Sequence, residues 1–195
     1  TRMPQLVDRN ADVAAVYVDG SYLARNPTWH EEDSPWKATQ IRTILDRNNV
    51  KPSTMCEVGC GAGEIARLLA TDYGQDVLVS GYEISPQAFQ ICKKKEQPNL
   101  RFFLSNLLDE SDASFDVVLS IDVFEHVEDY LGFLRKLRPR GRYTVFHIPL
   151  DLSVQTVLRV SPIRKVREKL GHLHYFTKET ALAAYATQLA LSGRR

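Results

Sequence analysis

The segment Glu57-Val58-Gly59-Cys60-Gly61-Ala62-Gly63-Glu64-Ile65 constrains this chain more than any other. It sets glycines at alternate positions between two periodic stretches. Thr54 to Val58 reads as a short buried strand, and Ala62 to Tyr73 carries Ile65, Leu68 and Leu69 at helical spacing. A strand-to-helix turn of this kind bends sharply and lets a ligand approach main-chain atoms without meeting a Cβ. Glu83 stands 22 residues beyond Gly61, at the end of a second apolar strand, Asp76 to Tyr82. A carboxylate there can accept hydrogen bonds from two ribose hydroxyls, so loop and carboxylate read as one nucleoside-cofactor site.

The dinucleotide fingerprint places glycines at its first, third and sixth positions, and the sixth, counted from Gly59, is Glu64. A pyrophosphate on the helix N-terminus would face carboxylates at Glu57 and Glu64, which is electrostatically poor. A cationic cofactor suits the site better. An NAD(P)-dependent oxidoreductase is therefore the weaker reading, and a non-catalytic cofactor-binding or adaptor protein is the other alternative.

At these residues the chain resembles the class I S-adenosylmethionine-dependent methyltransferases, in particular the small-molecule type 11 and 12 group. Their first motif is an acidic residue followed by alternate glycines, matched by Glu57, Gly59, Gly61 and Gly63. The resemblance runs from about Trp36 to Pro149. It implies S-adenosyl-L-methionine as cofactor and S-adenosyl-L-homocysteine as product. Glu83 with Ile84 would hold the ribose, Asn106 and Leu107 would flank the adenine, and the backbone from Gly59 through Cys60 to Gly61 would hold the methionine portion. Phe115 to Val127 resembles the fourth strand and the segment closing over the cofactor, with Asp122 and Val123 at its bend. Leu137 to Phe146 resembles the turn into the fifth strand, with the usual glycine pair reduced to Gly141.

The expected fold is α/β: a Rossmann-like, doubly wound, mainly parallel sheet with helices on both faces. Strands three to five fall at Leu100 to Leu104, Phe115 to Ile121 and Gly141 to Ile148. Ser34-Pro35 and Ser85-Pro86 open helices, the first carrying Trp36, Ile41, Ile44 and Leu45. Residues 1–195 are expected to form one domain: an N-terminal arm or cap over 1–33, a cofactor-binding core over 34–149, and a substrate-side part over 150–195. Within the arm stand Tyr17, Tyr22, Trp29 and His30. Residues 150–170 read as a connection and helix whose Arg159, Arg164, Lys165, Arg167 and Lys169 make a solvated basic face. Thr177 caps a further helix. The family's closing antiparallel strands have no match after it, so the chain is expected to be incomplete, or joined across missing residues near Ala183 where strand six should start.

Composition narrows the partners. With 25 basic and 24 acidic residues the net charge is +1, which gives no field to draw the protein onto nucleic acid. No apolar run of about 18 residues calls for a membrane span, no secretory signal opens the chain, and three cysteines without paired spacing fit a reducing, cytoplasmic setting. The acceptor is expected to be a small molecule methylated on O or N. By resemblance, the Asp122-Val123-Phe124-Glu125 sequence lacks the Pro-Pro-aromatic run of adenine and glutamine amino-methyltransferases, and no cysteine after Cys92 can serve cytosine chemistry. His126 is the candidate general base, because it follows the fourth strand by a few residues. Tyr22, Trp36, His147 and His174 are candidate substrate contacts, with His172 beside them. His172 and His174 alternate as metal ligands can, but without a third ligand at recognisable spacing no metal is expected.

Overall fold

The structure, a computed structural model, describes residues 20–26, 28–29, 31–159, 167 and 170–192. Five strands form one sheet: β1 (Thr54–Val58), β2 (Leu78–Glu83), β3 (Leu100–Leu104), β4 (Phe115–Ile121) and β5 (Gly141–His147). Their spatial order is β3-β2-β1-β4-β5 and every pairing is parallel. The described α-helices are α1 (Ser21–Arg25), α2 (Ser34–Arg47), α3 (Glu64–Tyr73), α4 (Pro86–Cys92), α5 (Tyr130–Leu137), α6 (Val154–Arg159) and α7 (Lys178–Ser192), with short 3₁₀ turns between elements. Among the described residues no helix is long and apolar enough to cross a membrane.

Strand periodicity builds the two cores. In β1, Met55 points to one face and Cys56 and Val58 to the other. On the first face Ala38, Ile41 and Leu45 of α2 and Ile65, Ala66 and Leu69 of α3 pack on Met55, Val117 and Leu119. On the second, Phe133, Leu134 and Leu137 of α5, together with Phe176, pack on Val58 and Val118. The buried stripe of α2 is Ser34, Ala38, Ile41 and Leu45, at steps of four and three. Trp36 and Ile44 lie off that stripe, and Trp36 is 57% exposed. Asp33, one residue before the expected cap, occupies the N-cap position of α2.

Other helix starts follow their capping residues. Ser85 Oγ accepts the Ala88 N–H, Asp129 Oδ1 the Gly132 N–H, and Thr177 Oγ1 the Thr180 N–H. Helix α3 begins at Glu64, after Gly63 has turned the chain at φ +76°. A single Gly141 suffices at the start of β5: its backbone is extended (φ −142°), and close approach to Val118 and to the Tyr143 carbonyl asks for a missing Cβ. Helix α7 runs unbroken through Ala183, so no strand begins there.

Candidate functional site

Strand order reverses between β1 and β4, so the chain leaves these neighbouring strands in opposite directions and opens a crevice at their carboxyl ends. A cavity of about 730 Å³ fills that crevice, within the range of roughly 300–1,000 Å³ usual for small-molecule sites.

One wall is the glycine turn. Gly61 has φ +54°, and a Cβ there would only touch Trp29 at 3.5 Å; at Gly63 a Cβ would lie 2.6 Å from both Cys92 and Phe102. Gly63 thus lets α3 close on the sheet, whereas Gly61 leaves room for a ligand. The turn satisfies its own donors. Gly59 and Cys60 N–H both donate to Tyr82 O, Gly63 N–H to Cys60 O, and Gly61 N–H to Glu83 Oε2 at 2.7 Å. Glu83 Oε1 accepts from Ile84 and Ser85 N–H at 2.8 and 2.7 Å. Three of the roughly four lone-pair positions of this buried carboxylate are therefore taken, which leaves one for a ribose hydroxyl rather than two. Burial raises the Glu83 pKa, while the three amides oppose the rise.

The acidic residues flanking the turn are compensated inside the protein. Glu57 Oε2 accepts the Ala66 N–H of the first turn of α3 at 3.0 Å, and burial pushes its carboxyl up to about 8. Glu64 pairs with Arg67 and Lys95. The repulsion expected to exclude a pyrophosphate is weaker than the sequence implies. Four turn amides and the Ala66 amide already have acceptors, which reduces the donors that a phosphate could use.

The opposite wall follows β4. Asp122 has φ +55°, and Val123 lies under Gly59, where a Cβ would come within 2.7 Å of it. Asp122 accepts a hydrogen bond from Lys37 Nζ at 2.6 Å and contacts His147 Nδ1 at 2.5 Å. Burial pushes the Asp122 pKa up, but His147 and Lys37 outweigh it and hold the group below the ordinary carboxylate range. An ionised Asp122 only accepts, so Nδ1 of His147 carries the proton and Nε2 the lone pair. Lys37 escaped the sequence analysis because it lies 85 residues from its partner on a helix read only for its apolar face.

Beyond Val123 the chain turns through Phe124–His126. Glu125 is 1% exposed, among the described residues no other group hydrogen-bonds to either carboxylate oxygen, and burial pushes its pKa up to about 8 against the pull of its own backbone N–H. The Glu125 main-chain carbonyl accepts from Leu173 and His174 N–H, which ties residues 171–176 alongside it. That places His172 against His126, with ring centroids 4.9 Å apart. His172 Nδ1 meets Asp151 Oδ2 at 2.7 Å, His126 Nδ1 meets Gly171 O at 3.3 Å, and His126 Nε2 lies 3.8 Å from Glu125 Oε1. His172 thus meets Glu125 and His126, some 46 residues upstream, and not His174, with which the sequence had paired it.

Of the residues singled out in the sequence, Glu57, Gly59, Cys60, Gly61, Gly63, Glu83, Ile84, Asp122, Val123 and His126 line the cavity, as do Tyr22, Trp36 and His147. Trp29 joins them and packs on Tyr22 at 4.8 Å, so this part of the arm covers the site. Tyr17, His30, Arg164, Lys165 and Lys169 lie outside the described residues. Asn106, Leu107 and His174 do not line the cavity. Asn106 Oδ1 accepts the Leu108 N–H to start a short 3₁₀ turn, and Leu107 is fully buried in the core beside α5. His174 Nε2 meets the carbonyls of Val127 and Glu128, and its ring packs on Tyr130.

Comparison with known proteins bears on what this arrangement is. The family profile described as "Methyltransferase domain" matches residues 56–143, from the middle of β1 into β5. Over that span the chain is similar to the class I S-adenosylmethionine-dependent methyltransferases. The chain is 36% identical over 123 residues to the 2-methyl-6-phytyl-1,4-hydroquinone methyltransferase of Synechocystis, an alignment covering 55% of the chain and 38% of that relative. An O-methyltransferase from Aspergillus nomiae is 27% identical, over 77% of the chain and 71% of its own length. Among solved structures, the magnesium protoporphyrin IX methyltransferase of Synechocystis shares the fold, with a TM-score of 0.61 and 16% identity over 82% of the chain and 73% of that protein. The chain spans well under half the length of the hydroquinone methyltransferase.

Proposed function

We propose that the protein transfers a methyl group from S-adenosylmethionine to an oxygen or nitrogen atom of a small-molecule acceptor. The observation that carries this reading is the convergence of Gly61, Glu83 and Asp122 on one cavity at the reversal of strand order. The match of residues 56–143 to the methyltransferase profile supports it, as does the similarity to an O-methyltransferase. When bound, S-adenosylmethionine supplies a methyl group on a positively charged sulfur, already a good leaving centre. The chain's own work is placement and proton removal. Glu83 accepts one ribose hydroxyl, Gly61 gives room for close approach to the main chain, and Ile84 offers an apolar surface at the rim.

Three histidines line the cavity, His126, His147 and His172; with His172 engaged by Asp151, the first two are the candidates for taking the proton of a hydroxyl acceptor. His126 is the one expected from sequence. His147 is the better-prepared base, because Asp122 fixes its tautomer and stabilises the imidazolium formed on proton transfer. Tyr22, Trp29 and Trp36 supply apolar surface over the same space, which suits a flat or hydrophobic acceptor.

The test is incubation with methyl-labelled S-adenosylmethionine and a panel of phenols, alcohols and amines. Label appearing in a hydroxyl or amine acceptor is the expected result. His147→Ala should lower turnover by about 10²–10⁴ with cofactor affinity nearly unchanged. Binding of the cofactor with no transfer to any acceptor would favour the adaptor reading, and full turnover in both His147→Ala and His126→Ala would remove general-base catalysis by either residue.

A further inference from the structure

Glu125, His126 and His172 carry a feature that cofactor binding does not use. One carboxylate oxygen and one nitrogen from each ring all lie within 4.8 Å of one another on the cavity wall. Two imidazoles and a carboxylate are a donor set for a divalent transition-metal ion, and three protein ligands leave a further coordination position open. A tetrahedral zinc with ligands at about 2.1 Å sets neighbouring ligand atoms about 3.4 Å apart, so closure onto an ion asks for side-chain movements on the order of 1 Å.

Three further observations separate this cluster from a chance meeting. Glu125 is buried and, among the described residues, no other group hydrogen-bonds to either oxygen, an arrangement that is costly unless something positive or a proton occupies the space beside it. Each histidine ring presents its Nδ1 to an outer acceptor, His172 to the Asp151 carboxylate at 2.7 Å and His126 to the Gly171 carbonyl at 3.3 Å. Such outer partners hold Nδ1 protonated and leave Nε2 as the ligating atom, as they do around metal-bound histidines. Asp122 and Asp151 also add negative charge close to Glu125, with Lys37, paired to Asp122, as the opposing positive charge.

We propose that Glu125, His126 and His172 bind one divalent transition-metal ion, of which zinc is the representative probe, with its open coordination facing the cavity. Asp151 acts as a positioning residue through His172. An oxygen-donor acceptor, a hydroxyl above all, is the ligand class for the open position; that part rests on the methyl-transfer reading, whereas the ion itself does not.

The experiment measures metal, not turnover. Untagged full-length chain is stripped with a chelator, then titrated with Zn²⁺ by calorimetry, and with Co²⁺ by visible absorption, in the absence of cofactor and acceptor. The wild type is expected to take up about one equivalent with a histidine- and carboxylate-type cobalt spectrum. His172→Ala and Glu125→Gln should each weaken uptake at least tenfold, and Asp151→Asn by about 10–100-fold. Circular dichroism on each variant confirms that the fold is kept, and Glu125→Gln, nearly isosteric, serves if His172→Ala does not fold. Failure of the wild type to bind either ion, uptake undiminished in the folded variants, or a thiolate-to-cobalt band assigning the ion to Cys56, Cys60 or Cys92 would each overturn the proposal. Absence of methyl transfer alongside one tight equivalent of metal would count against the methyl-transfer reading alone.

Discussion

Replacing Glu83 by glutamine separates two roles that the structure gives to one carboxylate. In the free protein Glu83 fastens the glycine turn to the start of α4 through the amides of Gly61, Ile84 and Ser85. With cofactor bound it has one acceptor position left. Glutamine keeps one oxygen, which can still serve Ile84 and Ser85, and turns an NH₂ group toward the Gly61 N–H, donor against donor. The loss is one hydrogen bond to a charged group, about 1.5–3 kcal/mol, against a total stability of about 5–15 kcal/mol for a domain of this kind. The variant should therefore fold with a lowered denaturation midpoint. Its affinity for S-adenosylhomocysteine should fall by roughly 10–100-fold, since each 1.4 kcal/mol is a factor of ten and both the ribose contact and the Gly61 geometry suffer. Glu83→Ala should be worse in stability, because it leaves three amides without their acceptor. Urea denaturation and calorimetric titration on one preparation read both quantities. A folded Glu83→Gln protein with lowered stability but undiminished affinity would show that Glu83 only fastens the turn and would refute its ribose role.

Further outcomes follow from the same geometry. Gly63→Ala should destabilise the protein by about 2–4 kcal/mol in urea denaturation, because a Cβ would overlap Cys92 and Phe102 at a positive φ. Asp122→Asn should cost about 3–5 kcal/mol by leaving the largely buried Lys37 ammonium without its counter-ion, and should lower turnover by removing the partner of His147; a midpoint equal to wild type would contradict this. Glu57 is raised to about 8, so its stabilising contribution is full below the ordinary carboxyl value near 4.5 and is lost as pH rises toward 8. Cofactor-free protein should accordingly melt at a higher temperature at pH 5.5 than at pH 8.5, and Glu57→Gln, which keeps an acceptor for the Ala66 amide, should narrow that difference.

The backbone of the site was legible because it is written locally. Alternate glycines after a short, mostly apolar strand fix the turn, and β3 and β4 fall on the apolar segments Leu100–Leu104 and Phe115–Ile121. Glu83 was legible as part of the site from its distance beyond Gly61, but its three amide contacts were not, since they depend on how tightly the turn folds back on β2. Long-range pairings were the least visible. Lys37 with Asp122, and His172 with Glu125 and His126, join segments tens of residues apart, and no periodicity links them. Asn106 and Leu107 mark the converse: a polar residue after a strand reads equally as a ligand contact or as the cap of a 3₁₀ turn, and Leu107 goes to the core because it faces α5 rather than the crevice.

The central claim is that the Gly59–Gly63 turn and Glu83 form a site for S-adenosylmethionine. Calorimetric titration of the wild-type protein with S-adenosylhomocysteine and, separately, with NAD and NADP tests it most directly. The account predicts saturable one-to-one binding of S-adenosylhomocysteine, lost on adding the cofactor as competitor, and no heat above dilution from either dinucleotide. Saturable binding of a dinucleotide with no response to S-adenosylhomocysteine would contradict it.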